Sequence, residues 1–417
     1  MSNIVIIGNG IAGITAARHI RQYSRDHRIT VISAESKYFF SRTALMYVYM
    51  GHMKFAHTQP YENHFWRQQN INLIQARVTE INTNAKQLVL DNGSTLAYDT
   101  LILALGSRPR PLPVAGSDLA GVQSLYSKQD LELMEANTPG VRQAVVTGGG
   151  LIGVEMAEML HSRGIEVSMV VREDGFWNIV LPKEESELVG HHIESRGVKL
   201  LLSKNITAIR GQGRVQEVAL DDGSTLPCQF VGITIGVIPN IDLVKDSPIE
   251  VNRGILVDEY LQTNIPDIYA IGDCAELRQP PPGRRAIEPV WYTGRLMGEA
   301  AAYNICHDPP LPYNPGIWFN SAKFFDLEYQ TYGLVPPTTR TGIDSFYWQD
   351  DKGERALRLA YNDHRQLTGI NSLGIRLRHE VADRWIREGV SLEYAQEHFR
   401  ELQFDPEFYP LLNLTTA

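Results

Sequence analysis

Two glycine-rich turns constrain the fold of this chain more than any other feature of its sequence. They span residues 8–13 and 148–153, and each follows a short β-branched strand, opens a helix and leads to a second strand at 29–33 or 166–171. A helix that begins at such a turn offers free backbone N–H groups to an anion, and the missing side chains let a pyrophosphate approach the backbone. Each turn therefore predicts a dinucleotide site.

The similarity extends beyond the two turns. The polar turn at 91–96 recurs at 221–226, and a closing glycine, Gly106 or Gly236, stands fifteen positions after the first Asp of each. Two motifs in the same order and with this spacing indicate a duplicated unit. We predict an α/β protein with two Rossmann-like dinucleotide-binding domains of three-layer ββα architecture.

The chain after about residue 316 has a different pattern. Aromatic segments and strand-like alternation are followed by helical patterns, which is typical of a small α+β domain. We predict this C-terminal domain at 316–417, a discontinuous first domain at 1–112 and 248–315, and a second domain at 113–247.

Composition excludes several classes of protein. A net charge of -9 over 417 residues argues against nucleic acid as the main partner. The three cysteines share no metal-type or redox-type spacing, which favours a reducing, cytoplasmic compartment. The start of the chain lacks a signal-peptide pattern, and no apolar run reaches the ~18 residues that span a bilayer. We predict no metal site.

The first glycine turn has the context of a dinucleotide site. Glu35 stands at the end of the following strand, where it would accept hydrogen bonds from the adenosine ribose. Asp273 follows Gly272 after another apolar strand, and an acid there could bind ribityl hydroxyls or a flavin-side phosphate. The alternative for Asp273 is a helix N-cap.

These motifs together resemble the FAD-dependent pyridine-nucleotide reductases, in particular the branch of ferredoxin and rubredoxin reductases and the flavin portion of nitrite reductases. The resemblance implies that Arg42 helps to bind FAD, that Leu105 and Gly106 pass near it, and that the segment after residue 289 lies against the flavin. The predicted FAD site consists of Gly8, Asn9, Gly10, Ile11, Ala12, Gly13, Glu35, Arg42, Val78, Ala104, Leu105, Gly106, Gly272, Asp273, Val290 and Trp291.

By the same resemblance, the second turn binds NAD(P)H and Glu155 lies near the nicotinamide as the candidate catalytic residue. Alternatively, Glu155 only complements the helix dipole, which is worth ~0.3–1 kcal/mol. NADPH is slightly favoured, because Val171 stands where an NAD-binding acid is expected and Arg172 could pair with a 2′-phosphate. Two alternatives stay open: Arg172 is only a solvated surface charge, or Glu173 is the ribose-binding acid after a one-residue shift. The predicted site consists of Gly148, Gly150, Leu151, Ile152, Gly153, Glu155, Arg172 and Gly236.

The electron acceptor is the least determined feature. Residues 39–51 contain no cysteine, so thiol chemistry of the disulfide-reductase kind is disfavoured, and Tyr47 stands where relatives often have a lysine that pairs with the glutamate. We predict an FAD-dependent NAD(P)H oxidoreductase with a small redox protein of the ferredoxin or rubredoxin type as acceptor. The alternatives are a quinone or oxygen as acceptor, or a slow flavin-binding sensor. A monomer or homodimer is expected.

Overall fold

The computed structural model describes residues 2–404, 412 and 414. The chain divides into two compact units. Unit 1 comprises Met1–Arg110, Tyr126–Leu133 and Val237–Pro315, and unit 2 comprises Pro111–Leu125, Met134–Gly236 and Gly316–Ala417. The three predicted domain boundaries stay a prediction.

The strands, in chain order, are β1 (Asn3–Ile7), β2 (Arg28–Ser33), β3 (Ile71–Gln75), β4 (Val78–Asn82), β5 (Gln87–Leu90), β6 (Thr95–Ala97), β7 (Thr100–Leu103), β8 (Ser107–Pro109), β9 (Val122–Gln123), β10 (Gln143–Thr147), β11 (Glu166–Val170), β12 (Lys199–Leu201), β13 (Ile206–Gln212), β14 (Arg214–Leu220), β15 (Thr225–Pro227), β16 (Phe230–Ile233), β17 (Val237–Pro239), β18 (Ile255–Val257), β19 (Ile268–Ala270), β20 (Ala275–Leu277), β21 (Phe319–Phe324), β22 (Leu327–Gly333), β23 (Ile343–Gln349), β24 (Ala356–Asn362) and β25 (Leu367–Leu373).

The α-helices are α1 (Ile11–Tyr23), α2 (Leu45–Tyr49), α3 (Phe65–Gln68), α4 (Lys128–Asn137), α5 (Leu151–Ser162), α6 (Lys183–Ser195), α7 (Trp291–Cys306), α8 (His379–Glu388), α9 (Leu392–Glu397) and α10 (Phe399–Leu402). Short 3-10 helices lie at Arg42–Ala44, Phe55–Thr58 and Gly272–Cys274.

Unit 1 is built on a five-stranded parallel sheet in the order β19-β7-β1-β2-β3. Strand β1 is almost fully buried, as expected of a central parallel strand that is covered on both faces. Helices α1 and α7 cross closely at Gly298, where a Cβ would stand 2.5 Å from the carbonyl oxygen of Ala12. The antiparallel sheet β4-β5-β6 and the two-stranded sheets β17-β8 and β18-β20 belong to the same unit.

Unit 2 repeats this plan. Its parallel sheet has the order β12-β11-β10-β16-β9, and its antiparallel sheet is β13-β14-β15. The echoed polar turns occupy the same place in both copies, between β5 and β6 and between β14 and β15. The predicted α/β class with two Rossmann-like units is therefore confirmed.

The C-terminal part of unit 2 is an antiparallel sheet in the order β21-β22-β25-β24-β23. Helices α8, α9 and α10 supply the apolar residues Trp385, Ala395 and Phe399 to a core that also contains Leu359 and Ile370 of the sheet. The predicted α+β character of this segment agrees with these elements.

Candidate functional site

The first glycine turn can only be formed by glycines at its two tightest positions. Gly8 has a φ of 113°, and a Cβ there would stand 2.0 Å from the carbonyl oxygen of Ala104. A Cβ on Gly13 would stand 2.1 Å from the carbonyl oxygen of Gly8. These contacts hold the start of α1 directly against the carboxyl ends of β1 and β7.

Gly10 has a different role in the same turn. It is the N-cap of α1 and has no side-chain cap hydrogen bond. Apart from its chain neighbours, no described heavy atom lies within 4 Å of the position a Cβ would take. The first amides of a helix, here those of Ile11 and Ala12, have no intrahelical acceptor and can donate to a bound anion. This geometry fits a pyrophosphate.

The acidic residue at the end of the second strand lies in an ion pair. Arg42 donates from both terminal nitrogens to Glu35, at 2.9 Å and 2.6 Å. The amide of Lys128 also donates to Glu35, at 2.8 Å, and the neighbouring Asn9 donates to the carbonyl oxygen of Ser36. The structure therefore brings Glu35, Arg42 and Asn9 together beside the turn. The sequence indicated neither the pairing of Arg42 with Glu35 nor the bond from the Lys128 amide.

The Gly272 motif meets the first turn in space. A Cβ on Gly272, whose φ is 74°, would stand 3.0 Å from the Cβ of Ala12. Asp273 follows in a 3-10 helix, and Ser107 Oγ donates to its Oδ2 at 2.7 Å. Burial raises the pKa of Asp273, while the Ser107 hydrogen bond and the Arg42 charge act to lower it. Two glycine motifs that are far apart in sequence thus form one site.

The remaining predicted FAD residues divide into two groups. Ala104, Leu105 and Gly106 follow the end of β7, and Gly106 has a φ of 70°. Val290 caps α7 and Trp291 is its first residue, at the helix end where a Cβ on Gly294 would contact Ile11 at 3.4 Å. All of these lie at the same edge of the sheet as the turn. Val78 instead belongs to the buried core of unit 1.

The second glycine turn has the same kind of close backbone contacts as the first. Gly148 has a φ of 121°, and a Cβ there would stand 2.4 Å from the carbonyl oxygen of Thr234. A Cβ on Gly153 would stand 2.4 Å from the carbonyl oxygen of Gly148. Gly150 caps α5 without a side-chain bond and, like Gly236, has open space on its Cβ side among the described residues. Leu151 and Ile152 supply the free first amides.

Glu155 on α5 is held in an unusual protonation state. Burial is the largest cause, and together with the charge of Glu158 it raises the pKa of Glu155 to about 7, although Lys323 acts to lower it. Lys323 forms an ion pair with Glu158 at 2.9 Å. Lys323 lies on β21, and nothing in the sequence pattern linked it to Glu155. The carboxyl group can therefore both donate and accept a hydrogen bond near neutral pH.

The residues expected to select the nucleotide lie at the end of β11. Val171 is fully buried and packs on the turn, where its Cγ1 lies 2.7 Å from the position of a Cβ on Gly149. Arg172 is exposed over 75% of its side chain and pairs with Glu173 at 2.8 Å. Position 171 thus holds a packing side chain instead of an acid, and the arginine beside it lies at the surface in a pair with its neighbour.

The described residues, 2–404 with 412 and 414, contain neither a candidate membrane-spanning helix nor a candidate metal-binding group. None of their helices is both long and apolar enough to cross a membrane. No three of their His, Cys, Asp and Glu side chains are grouped so that they could hold a metal ion.

Comparison with known proteins identifies the family. The sequence pattern described as pyridine nucleotide-disulphide oxidoreductase matches residues 2–296. An NADH oxidase from Methanocaldococcus jannaschii is 34% identical over 79% of this chain and 76% of its own length. A nitrite reductase [NAD(P)H] from Bacillus subtilis is 31% identical over 79% of this chain but only 40% of its own length. The chain therefore spans about two-fifths of that nitrite reductase.

A solved structure gives the same result for the fold. The ferredoxin reductase from Rhodopseudomonas palustris superposes with a TM-score of 0.82 and 28% identity, covering 89% of this chain and 91% of the other. These matches confirm the predicted resemblance and support FAD and NAD(P)H as cofactors, whereas the NADPH preference and the site residues stay predictions. The chain belongs to the pyridine nucleotide-disulphide oxidoreductase family.

Proposed function

We propose that this chain is an FAD-dependent NAD(P)H oxidoreductase that delivers electrons to a separate small redox protein of the ferredoxin or rubredoxin type. The observation that carries the proposal is the paired geometry of Gly10 and Gly150. Each caps a helix without a side-chain bond and borders open space. One of these glycine turns suits a permanently bound dinucleotide, and the other suits a dinucleotide substrate.

Each part of unit 1 has a binding role in this proposal. The amides after Gly10 hold the pyrophosphate, Glu35 and Arg42 lie at the adenosine end, and Asp273 accepts hydrogen bonds from ribityl hydroxyls. The chemistry that bound FAD would supply there is acceptance of a hydride from NAD(P)H and release of electrons to an acceptor. The chain supplies position and electrostatics.

Glu155 is proposed to orient the nicotinamide. With a pKa near 7, its carboxyl group can accept from the amide N–H or donate to the amide oxygen. It is also the first ionisable residue of α5, the helix at whose start the second turn would hold the nucleotide. A pH dependence of NAD(P)H binding near neutrality is the expected sign of this role.

NADPH is proposed as the preferred donor. Arg172 is mostly exposed, so it can leave Glu173 and form a bidentate pair with a 2′-phosphate. In the variant Arg172→Gln we expect the KM for NADPH to rise about tenfold while the KM for NADH stays the same, since one charge-assisted pair is worth roughly 1.5 kcal/mol. Arg210→Gln, which removes another exposed ion pair of unit 2, is the matched control. Equal effects on both nucleotides would remove the basis for NADPH.

The proposed acceptor is supported by the positions and state of the cysteines and by a matched structure. The segment 39–51 has no cysteine, and the described cysteines, Cys228, Cys274 and Cys306, are free. Burial raises the pKa of Cys274 to about 12, so its thiol stays protonated. The matched structure from Rhodopseudomonas palustris is a ferredoxin reductase.

The free cysteines also support a cytoplasmic location as a proposal. A monomer or homodimer stays the prediction for the oligomeric state.

Oxygen is the second candidate acceptor, because the relative from Methanocaldococcus jannaschii is an NADH oxidase. The test is anaerobic stopped-flow reduction of the purified yellow protein by NADPH and by NADH, followed by reoxidation. Fast reoxidation by added ferredoxin or rubredoxin, with slow reoxidation by air, is the expected result. Fast reoxidation by air or a quinone would select the second candidate. Negligible bleaching of the flavin band would instead indicate a sensor.

A further inference from the structure

Tyr126 lies between the two ends of the proposed FAD site, although no sequence motif marks it. Its ring faces the guanidinium of Arg42, whose Cζ lies 4.5 Å from the ring centroid. Arg42 also donates to the carbonyl oxygen of Tyr126 and to Glu35. One side of Tyr126 is thus fixed to the residues at the proposed adenosine end.

The other side of Tyr126 contacts the turn that follows β7. The amide of Ser107 donates to Tyr126 Oη at 3.1 Å, and the Oγ of Ser107 lies 3.0 Å from the same oxygen. A Cβ on Gly106 would stand 3.2 Å from Tyr126 Oη, so the hydroxyl lies directly on this backbone. The phenol therefore fixes the position of the turn that the resemblance places beside the cofactor.

The direction of these bonds follows from counting protons. Ser107 has one hydroxyl proton, and its Oγ lies 2.7 Å from Oδ2 of Asp273 as well as 3.0 Å from Tyr126. Ser107 donates this proton to Asp273, which is the shorter of its two contacts. Tyr126 must then donate to Ser107. Burial and the nearby Asp273 charge raise the pKa of Tyr126, which keeps the phenol protonated and able to donate.

We propose that Tyr126 is a positioning residue for FAD: it holds the Ser107 hydroxyl as a donor to Asp273 and ties that group to the Glu35–Arg42 pair. This inference rests on the proposed function, because Asp273 acts on FAD only if FAD is bound. The charged or titratable side chains around Asp273 are Arg42, Tyr126 and Cys274. Arg42 and Cys274 keep their charge states across neutral pH, so Asp273 is the member of this group that changes charge on acidification.

The test measures FAD binding to apoprotein as a function of pH, with Tyr126→Phe and Ser107→Ala as variants. We expect FAD affinity to fall about tenfold in each, which corresponds to the net worth of roughly one hydrogen bond to a charged group. The pH at which affinity is lost on acidification should also move upward, because Asp273 protonates more easily without its donor. Ser107→Thr keeps the hydroxyl and should restore both values.

Tyr98→Phe is the matched control. The Tyr98 hydroxyl is buried in unit 1 without a hydrogen-bond partner among the described residues, so its loss should change neither value. Wild-type affinity and pH midpoint in both Tyr126→Phe and Ser107→Ala would overturn the proposal. So would an effect in Tyr98→Phe as large as that in Tyr126→Phe.

A second measurement separates this proposal from the proposed function. The Asp273 carboxyl carbon can be titrated by NMR in the apoprotein, where the same upward shift of its midpoint is expected in both variants. If wild-type protein bound no FAD, the proposed function would fail, and the titration would still decide whether Tyr126 acts on Asp273 through Ser107.

Discussion

Glu155→Gln tests the electrostatics of the second site directly. Burial raises the pKa of Glu155 from 4.5 to about 7. Between these two values the unfolded chain has lost the proton and the folded chain still holds it. Folding stability must therefore fall as pH rises from about 4.5 to about 7, and the loss is complete above that.

The magnitude follows from the size of the pKa change. A tenfold change in proton affinity is worth about 1.4 kcal/mol, so ionised Glu155 costs about 3 kcal/mol of stability at pH 8. Glutamine has nearly the same shape and no charge. We expect the variant, relative to wild type, to gain about 3 kcal/mol in free energy of unfolding between about pH 4 and pH 8.

The assay is urea unfolding of both proteins at a series of pH values, followed at NMR amide resonances of α5 so that unit 2 is observed. Only the difference between the two proteins is used, because all other titrating groups are common to them. A difference that does not change with pH would show that Glu155 is not linked to folding in this way. A wild-type carboxyl midpoint near 4.5 in an NMR titration would contradict the linkage as well.

Three further predictions concern charge, space and packing. Lys323→Met removes the cation that acts to lower the pKa of Glu155, so the NMR midpoint of Glu155 should rise above 7. Lys199→Met, at the exposed first residue of β12, should leave this midpoint unchanged. Gly10→Ala should fold normally but bind FAD less tightly, because the methyl group fills the open space beside the proposed pyrophosphate site. Titration of the apoprotein with FAD measures this loss. Gly190→Ala is the control, since its Cβ meets Leu200 at an ordinary 3.6 Å, and its FAD affinity should not change. Arg358→Met leaves Glu185 buried without its cation, so we expect the free energy of unfolding in urea to fall by about 3–5 kcal/mol. Arg365→Met removes the exposed pair with Glu393 and should not change the free energy of unfolding measurably.

The repeated order of strand, glycine turn, helix and second strand could be predicted from the amino-acid pattern alone. Gly8, Gly13, Gly148 and Gly153 are needed because each approaches a backbone carbonyl closely, and such a requirement is local enough to be recognised as a motif. The duplicated polar turns likewise indicated two copies of one sheet arrangement. Periodicity and turn chemistry act over a few residues, which is why the linear sequence is sufficient to interpret them.

Which polar side chains meet depends on the folded chain. Lys323 comes near Glu155, Ser107 donates to Asp273, and Tyr126 contacts Ser107, although no local pattern connects these partners. A pair between distant segments depends on how sheets and helices pack, and many sequences with the same hydrophobic pattern would pair differently. Burial is encoded by local alternation, whereas the ionisation and direction of a buried polar group depend on the few atoms that long-range folding places around it.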